Sequence, residues 1–150
     1  MSVKYEVGTF TQMMSTELNA LASGSGVTQN TGTNAAFDNQ AAGNLYFWGS
    51  FELDVTFGTA PTDNSTVDLY IVPALDETNF TPTTDGASPV VDLNSYAGSF
   101  NVRANTAAQK PKIQGVPLPP CKFKLYAINK TQQQFPATGS TLSFLPYREQ

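Results

Sequence analysis

The chain contains no histidine and a single cysteine, Cys121. Without histidine there is no Ser-His or Cys-His nucleophile system, and the commonest general base and zinc ligand is gone. One cysteine excludes an intrachain disulfide and a cysteine metal cluster. Charge is scarce as well: 13% of residues are charged, against about 25% in ordinary soluble domains. Lys110 and Lys112, then Lys122, Lys124 and Lys130, are separated and partly offset, and the net charge is −4. Nucleic acid, which is bound through phosphate neutralisation, is therefore not an expected partner. No apolar run approaches the ~18 residues of a membrane helix. The first ten residues, MSVKYEVGTF, hold no apolar signal core. The expectation is synthesis in a cytoplasm, without export by this route and without a membrane.

What is present is a set of alternating segments. In Leu45–Phe57, LYFWGSFELDVTF, the residues Leu45, Phe47, Phe51, Leu53, Val55 and Phe57 share one parity with Gly49. Ser50, Glu52, Asp54 and Thr56 hold the other. Side chains alternate between the faces of a strand, so this predicts one long strand with one face in a core. Its length exceeds the usual ~17–20 Å, and Gly49 is the expected bend or bulge. Tyr46 and Trp48 place large aromatics on the otherwise polar face, so that end of the strand calls for cover on both sides.

Further strands are predicted around Val3–Val7, Val67–Pro73, Tyr96–Val102, Cys121–Asn129 and Thr141–Tyr147. Gln12–Ala22 is ambiguous between helix and extended chain. Residues 23–44, rich in Gly, Ser, Thr and Asn, read as a long loop or arm. Residues 75–88 read as a polar connection. The four prolines at 111, 117, 119 and 120 exclude a central strand there and suggest an extended crossing between sheets. Strands with polar turns and no convincing helix predict an all-β fold, a single-domain β-sandwich with jelly-roll character spanning residues 1–150.

Candidate chemistry is thin. Glu52 and Asp54 share a strand face and could form a carboxylate pair for glycoside hydrolysis, or simply a solvated row. Asp76, Glu77 and Asp85 could offer oxygens to calcium, but no loop of the D-x-[DN]-x-[DN]-G type is present. Cys121 shares parity with Phe123 and Leu125, which suits a buried thiol. No phosphate-binding glycine loop is present, and neither a catalytic residue, a cofactor nor a metal is expected. Tyr46, Trp48, Tyr70, Tyr126 and Ile128 all lie on nominally outward rows. They are candidates for an oligomer or particle interface, for a sugar-stacking platform, or for a surface covered by residues 23–44 or 111–120 of the same chain.

The order of ALASGSGVTQ, NLYFWGSFELDVTFGTAPTDNSTVDLYIVPALDETNF and VPLPPCKFKLYAINKTQQQFPATGSTL resembles small β-sandwich virion proteins of tailed bacteriophages. The shared pattern covers about two thirds of the chain. It has a turn, here Gly58-Thr59-Ala60-Pro61-Thr62, a strand, here Val67 to Pro73, and a closing strand, here Pro120 to Thr131. The sequence departs from it with Glu77 and Gln132 where glycines are expected, which implies altered turns. The resemblance implies a virion structural protein, most simply a capsid decoration or cement protein that bridges major capsid subunits as a homo-oligomer such as a trimer. It also leaves room for a place in the tail, neck or baseplate, or for a host-surface carbohydrate-binding module.

Overall fold

The computed structural model describes residues 3–41 and 43–150. Among these residues ten strands appear in chain order: β1 (Tyr5–Val7), β2 (Thr11–Met14), β3 (Gly26–Thr28), β4 (Phe37–Asp38), β5 (Trp48–Asp54), β6 (Thr66–Ala74), β7 (Tyr96–Asn101), β8 (Lys112–Pro117), β9 (Lys122–Lys130) and β10 (Thr141–Glu149). Two 3-10 turns, Thr16–Leu18 and Leu93–Ser95, are the helical elements among the described residues.

The strands form two antiparallel sheets. The first runs β1-β10-β5-β8, with β2 following β1 along β10; the second runs β3-β9-β6-β7, with β4 following β3 along β9. If β1/β2 and β3/β4 are each counted as one interrupted edge, both sheets are four positions wide. In chain order the positions are then first-eighth-third-sixth and second-seventh-fourth-fifth, which is the jelly-roll order. The expected all-β sandwich is the fold.

The pairings are nested. Tyr5 faces Glu149, Met14 faces Leu142, Thr28 faces Tyr126, Glu52 faces Lys112 and Thr66 faces Asn101. The chain is thus one antiparallel ribbon whose tip lies between β6 and β7. Rolling the ribbon adds the central ladders β10–β5 and β6–β9.

The core follows the alternation. Phe51, Leu53, Val55 and Phe57 are buried between the sheets with Val67, Leu69, Phe123, Leu125, Leu142 and Phe144. Gly49 is the notch that admits Phe144: a Cβ there would lie 2.5 Å from the Phe144 ring and 3.0 Å from Leu118. The bulge expected at Gly49 lies instead in the strand opposite: Gly49 faces Val116 but Phe51 faces Ile113, while β5 keeps unbroken register with β10. The extra residue falls in β8, and Gly115 takes a φ of 69° to accommodate it.

Three expectations need correction. The strand predicted from Leu45 begins only at Trp48, because Leu45 takes a φ of 72° and the backbone bends at Phe47. Leu45 and Phe47 are consequently exposed. Residues 23–44 are not a projecting arm: they supply β3 and β4 to the edge of β9, and the Gln29 side chain accepts from Leu125 N at 2.9 Å while donating to Asn34 O at 2.8 Å. Residues 111–120 are only partly the expected crossing: Lys112–Pro117 form an edge strand, β8, with Pro111 and Pro117 at its margins, where a missing N–H costs least, and the chain beyond Pro117 crosses to β9 in the second sheet. The ambiguous Gln12–Ala22 resolves into β2 and a 3-10 turn, which bury Met13, Met14 and Leu18, and Leu21 beyond the turn is buried as well.

Candidate functional site

The sheet order separates the five outward candidates. Trp48 opens β5 in the first sheet and Tyr46 lies just before it, whereas Tyr70, Tyr126 and Ile128 lie on β6 and β9 in the second. The five therefore do not form one patch.

Tyr70, Tyr126 and Ile128, proposed above as interface residues, are buried within the chain. With Val72 they make a second, smaller core on the outer face of the second sheet, packed against Phe80 and Val91. The cover is the ribbon tip, neither residues 23–44 nor residues 111–120. Gly86 bridges to Gly26, Pro89 crowds Gly26, and Tyr126 donates its hydroxyl to Thr84 O at 2.6 Å. Tyr96 packs edge-on to Tyr70 with ring centres 5.4 Å apart. Burial, followed by the nearby Asp85 and Tyr70, pushes the Tyr126 phenol up to about 12. The neutral phenol is the form that fits. Stability from this group is therefore complete below the unfolded value of about 10 and is lost as pH rises through 10 toward the folded value. Phenolate absorbance followed during alkaline titration is expected to show Tyr126 ionising last, together with loss of the fold; a full complement of tyrosines ionising near pH 10 in a still-folded chain would refute it.

Tyr46 is half-buried at the end of the sandwich. Its ring centre lies 6.3 Å from that of Phe37, and the Arg148 guanidinium lies 5.6 Å from it. Arg148 also binds Glu6 Oε2 at 2.6 Å and Asn44 O at 2.7 Å, which fixes this corner. Hydrogen bonds from Arg148 and Gln150 hold the Glu6 carboxyl below its ordinary range.

Trp48 alone of the five stays open on a strand face, with 37% of its surface exposed. It has neighbours that sequence reasoning missed. Val7 faces Tyr147, Tyr147 faces Trp48, and Trp48 faces Pro117, so one register line crosses all four positions of the first sheet. Phe144 and Leu142, of opposite parity to Tyr147, are in the core, which puts this line on the outer face. Opposed residues have Cβ atoms about 4.5–5.5 Å apart, so the line is continuous. Tyr5 packs edge-on to Tyr147 at 5.9 Å and extends it. Tyr5, Val7 and the neighbouring Phe47 are more than half exposed. The result is an uncharged apolar stripe across an otherwise polar face. The sequence signal for Tyr5 and Val7 was their alternation in β1; which face they take depends on β10.

The carboxylate candidates are engaged elsewhere. Asp54 pairs with Lys110 at 3.0 Å and Glu52 with Lys112 at 3.1 Å, cross-strand pairs along the solvated row. Asp76, Glu77 and Asp85 do not converge. Asp76 accepts from the N–H groups of Thr78 and Asn79 and from the Asn79 side chain, which lowers its carboxyl to about 2. Glu77 accepts from Lys122 N, and Asp85 from Thr28 Oγ1. Cys121 is buried, and burial raises its thiol.

No protein family, curated protein or solved structure matched this chain.

Among the described residues no helix is long and apolar enough to cross a membrane, and no group of three or more His, Cys, Asp or Glu side chains is placed to hold a metal ion. What the geometry offers is a surface: a four-strand face whose apolar line is left without cover among the described residues.

Proposed function

We propose that this chain is a structural accessory protein of a tailed-bacteriophage virion, a capsid decoration or cement protein that docks on and bridges major capsid subunits and performs no reaction. The observation that carries this reading is the stripe Tyr5–Val7–Tyr147–Trp48–Pro117, set on a face with few free charges. Aromatic side chains carry much of the energy of protein interfaces, and neutral polar groups around them are cheaper to desolvate than ions. Binding the assembled shell and not its separated subunits shifts the equilibrium toward the shell. The turns add support to the resemblance from which the virion role comes. Glu77 and Gln132, which stand where the related pattern has glycine, take φ values of 64° and 63°. The left-handed turn that glycine would favour is therefore kept, so the expectation of altered turns is corrected.

Purified particles lacking this protein supply the test. Adding back the native chain is expected to raise their thermal survival. Trp48→Ala should bind them roughly 30-fold or more weakly, the loss of an aromatic anchor of about 2 kcal/mol or more. The unfolding midpoint of the free variant shows whether its fold is intact. Particles that expand and survive heat equally well without the protein would defeat the cement role. Trp48 and the half-buried Tyr147 opposite it also fit a second reading, a host-surface carbohydrate-binding module; glycan binding lost in Trp48→Ala would favour it. Attachment of the native chain to tails and not heads would instead move the same structural role to the tail, neck or baseplate.

A further inference from the structure

Leu75 and Leu93 are the most exposed of the large apolar side chains described, at 84% and 80%. Single exposed leucines need no explanation, but these two flank one feature. β7 begins at Tyr96, opposite Tyr70, whereas β6 continues to Ala74. The chain before Tyr96 turns away as the 3-10 turn Leu93–Ser95. The last residues of β6 therefore lack the strand that would close the gap between the sheets along this edge. A cleft of about 410 Å³ remains, lined by Ile71 and Pro73 of β6, Tyr96 of β7, Val116 of β8, and Leu118 and Pro119 beyond it. Ile71 and Val116 belong to the main core, so the cleft leads into it. Leu75 lies two residues past Pro73. Leu93 immediately precedes Asn94, which also lines the cleft.

We propose that this edge is a self-association site, in which Leu93 of each of two copies enters the cleft of the other. The patch carries both halves of such a contact, protruding aliphatic side chains and, beside them, a largely apolar recess with no carboxylate or basic side chain in its lining. A two-fold axis through the patch sets each protrusion against the other copy's recess, as an isologous interface requires. An unrelated apolar anchor would fill the recess but leave both leucines in water; a second copy buries all three at once. Asp76 and Asp92 stand beside the patch, each tied to backbone N–H groups of its own turn. Brought near their symmetry mates they repel, so salt strengthens the pairing instead of weakening it. The cleft lining of ten residues with Leu75 and Leu93 falls short of the roughly 20–30 residues a side of a standard stable complex, so the pair dissociates on dilution. This contact meets the outward stripe on the first sheet only at Pro117, which also lines the cleft, and it pairs copies in twos, where a trimer would need a heterologous interface.

Sedimentation of the full chain across a concentration series, at low and high salt, tests this. The native chain is expected to move from monomer to dimer on concentration, and further so in high salt. Leu93→Ser, at an exposed position where folding is undisturbed, should weaken the pairing by about tenfold or more. Trp48→Ala should leave it unchanged. A native chain that stays monomeric, a Leu93→Ser variant that pairs as the native chain does, pairing lost in Trp48→Ala, or a limiting mass of three or more copies would each overturn the proposal. The first two outcomes leave particle binding through the stripe untouched, so the two proposals fail separately.

Discussion

Phe144→Ala is expected to lower the free energy of unfolding by about 3–5 kcal/mol, the range for deleting a fully buried aromatic ring. Phe144 sits on β10, the central strand of the first sheet, and its ring meets Phe51 stacked at 5.0 Å, Phe37 edge-on at 4.9 Å and Phe123 edge-on at 5.7 Å. It therefore joins both sheets. Two features limit how far the surroundings can collapse into the space left behind. Gly49 beneath the ring has no side chain to move into the void, and the neighbouring rings are held by ladders on either side. A domain of this kind has about 5–15 kcal/mol in all, so the variant would keep only part of its stability. Chemical denaturation should show a much lower midpoint with an unchanged slope; a loss under about 1 kcal/mol would mean that the aromatic cluster is not the core described.

Asn129→Leu is expected to cost about 3 kcal/mol, although leucine is apolar and of similar size, because several buried groups lose their partners together. The Asn129 amide donates to Leu21 O at 2.9 Å and to Gln133 O at 2.8 Å, and its oxygen accepts from Thr131 N at 3.0 Å and Thr131 Oγ1 at 2.7 Å. It is fully buried. The side chain clamps the turn after β9 to the segment after the first 3-10 turn, where Ala20 N also donates to Pro136 O and Phe135 N to Leu21 O. Equilibrium unfolding measures the loss, and amide exchange at Thr131 and Phe135 should quicken more than in β5. If exchange there is unaltered and the stability change is within about 0.5 kcal/mol, water replaces the amide and the clamp is not what orders the turn.

The alternation of apolar residues made the strands and the main core legible, since period two states which side chains share a face. Phe51, Leu53, Val55, Phe57, Phe123, Leu125, Leu142 and Phe144 were all readable this way. The period does not say what lies beyond the other face. Tyr70, Tyr126 and Ile128 looked outward because their partners are inward, and their cover comes from Phe80, within the stretch 75–88 that reads as polar, and from Pro89 and Val91 just beyond it. A signal was available: Leu69–Val72 and Leu125–Ile128 are continuous apolar runs, the mark of strands buried on both faces. The exposed stripe was only half legible. Trp48 stood out by itself, but Tyr5, Val7 and Tyr147 join it through register between strands at the two ends of the chain. Leu45 could not be read as the residue that breaks its strand, because left-handed backbone at a leucine leaves no trace in composition.

The nested ribbon has a consequence for how the protein is made. β1, β2 and β5 all pair with β10, which leaves the ribosome well after each of them. Until it emerges, three earlier strands hold their apolar rows without the neighbour that completes their sheet, and the nascent chain must stay soluble in that state. A translation product halted before Thr141 would have the second sheet's strands but not the centre of the first. It is expected to be captured by chaperones or to aggregate.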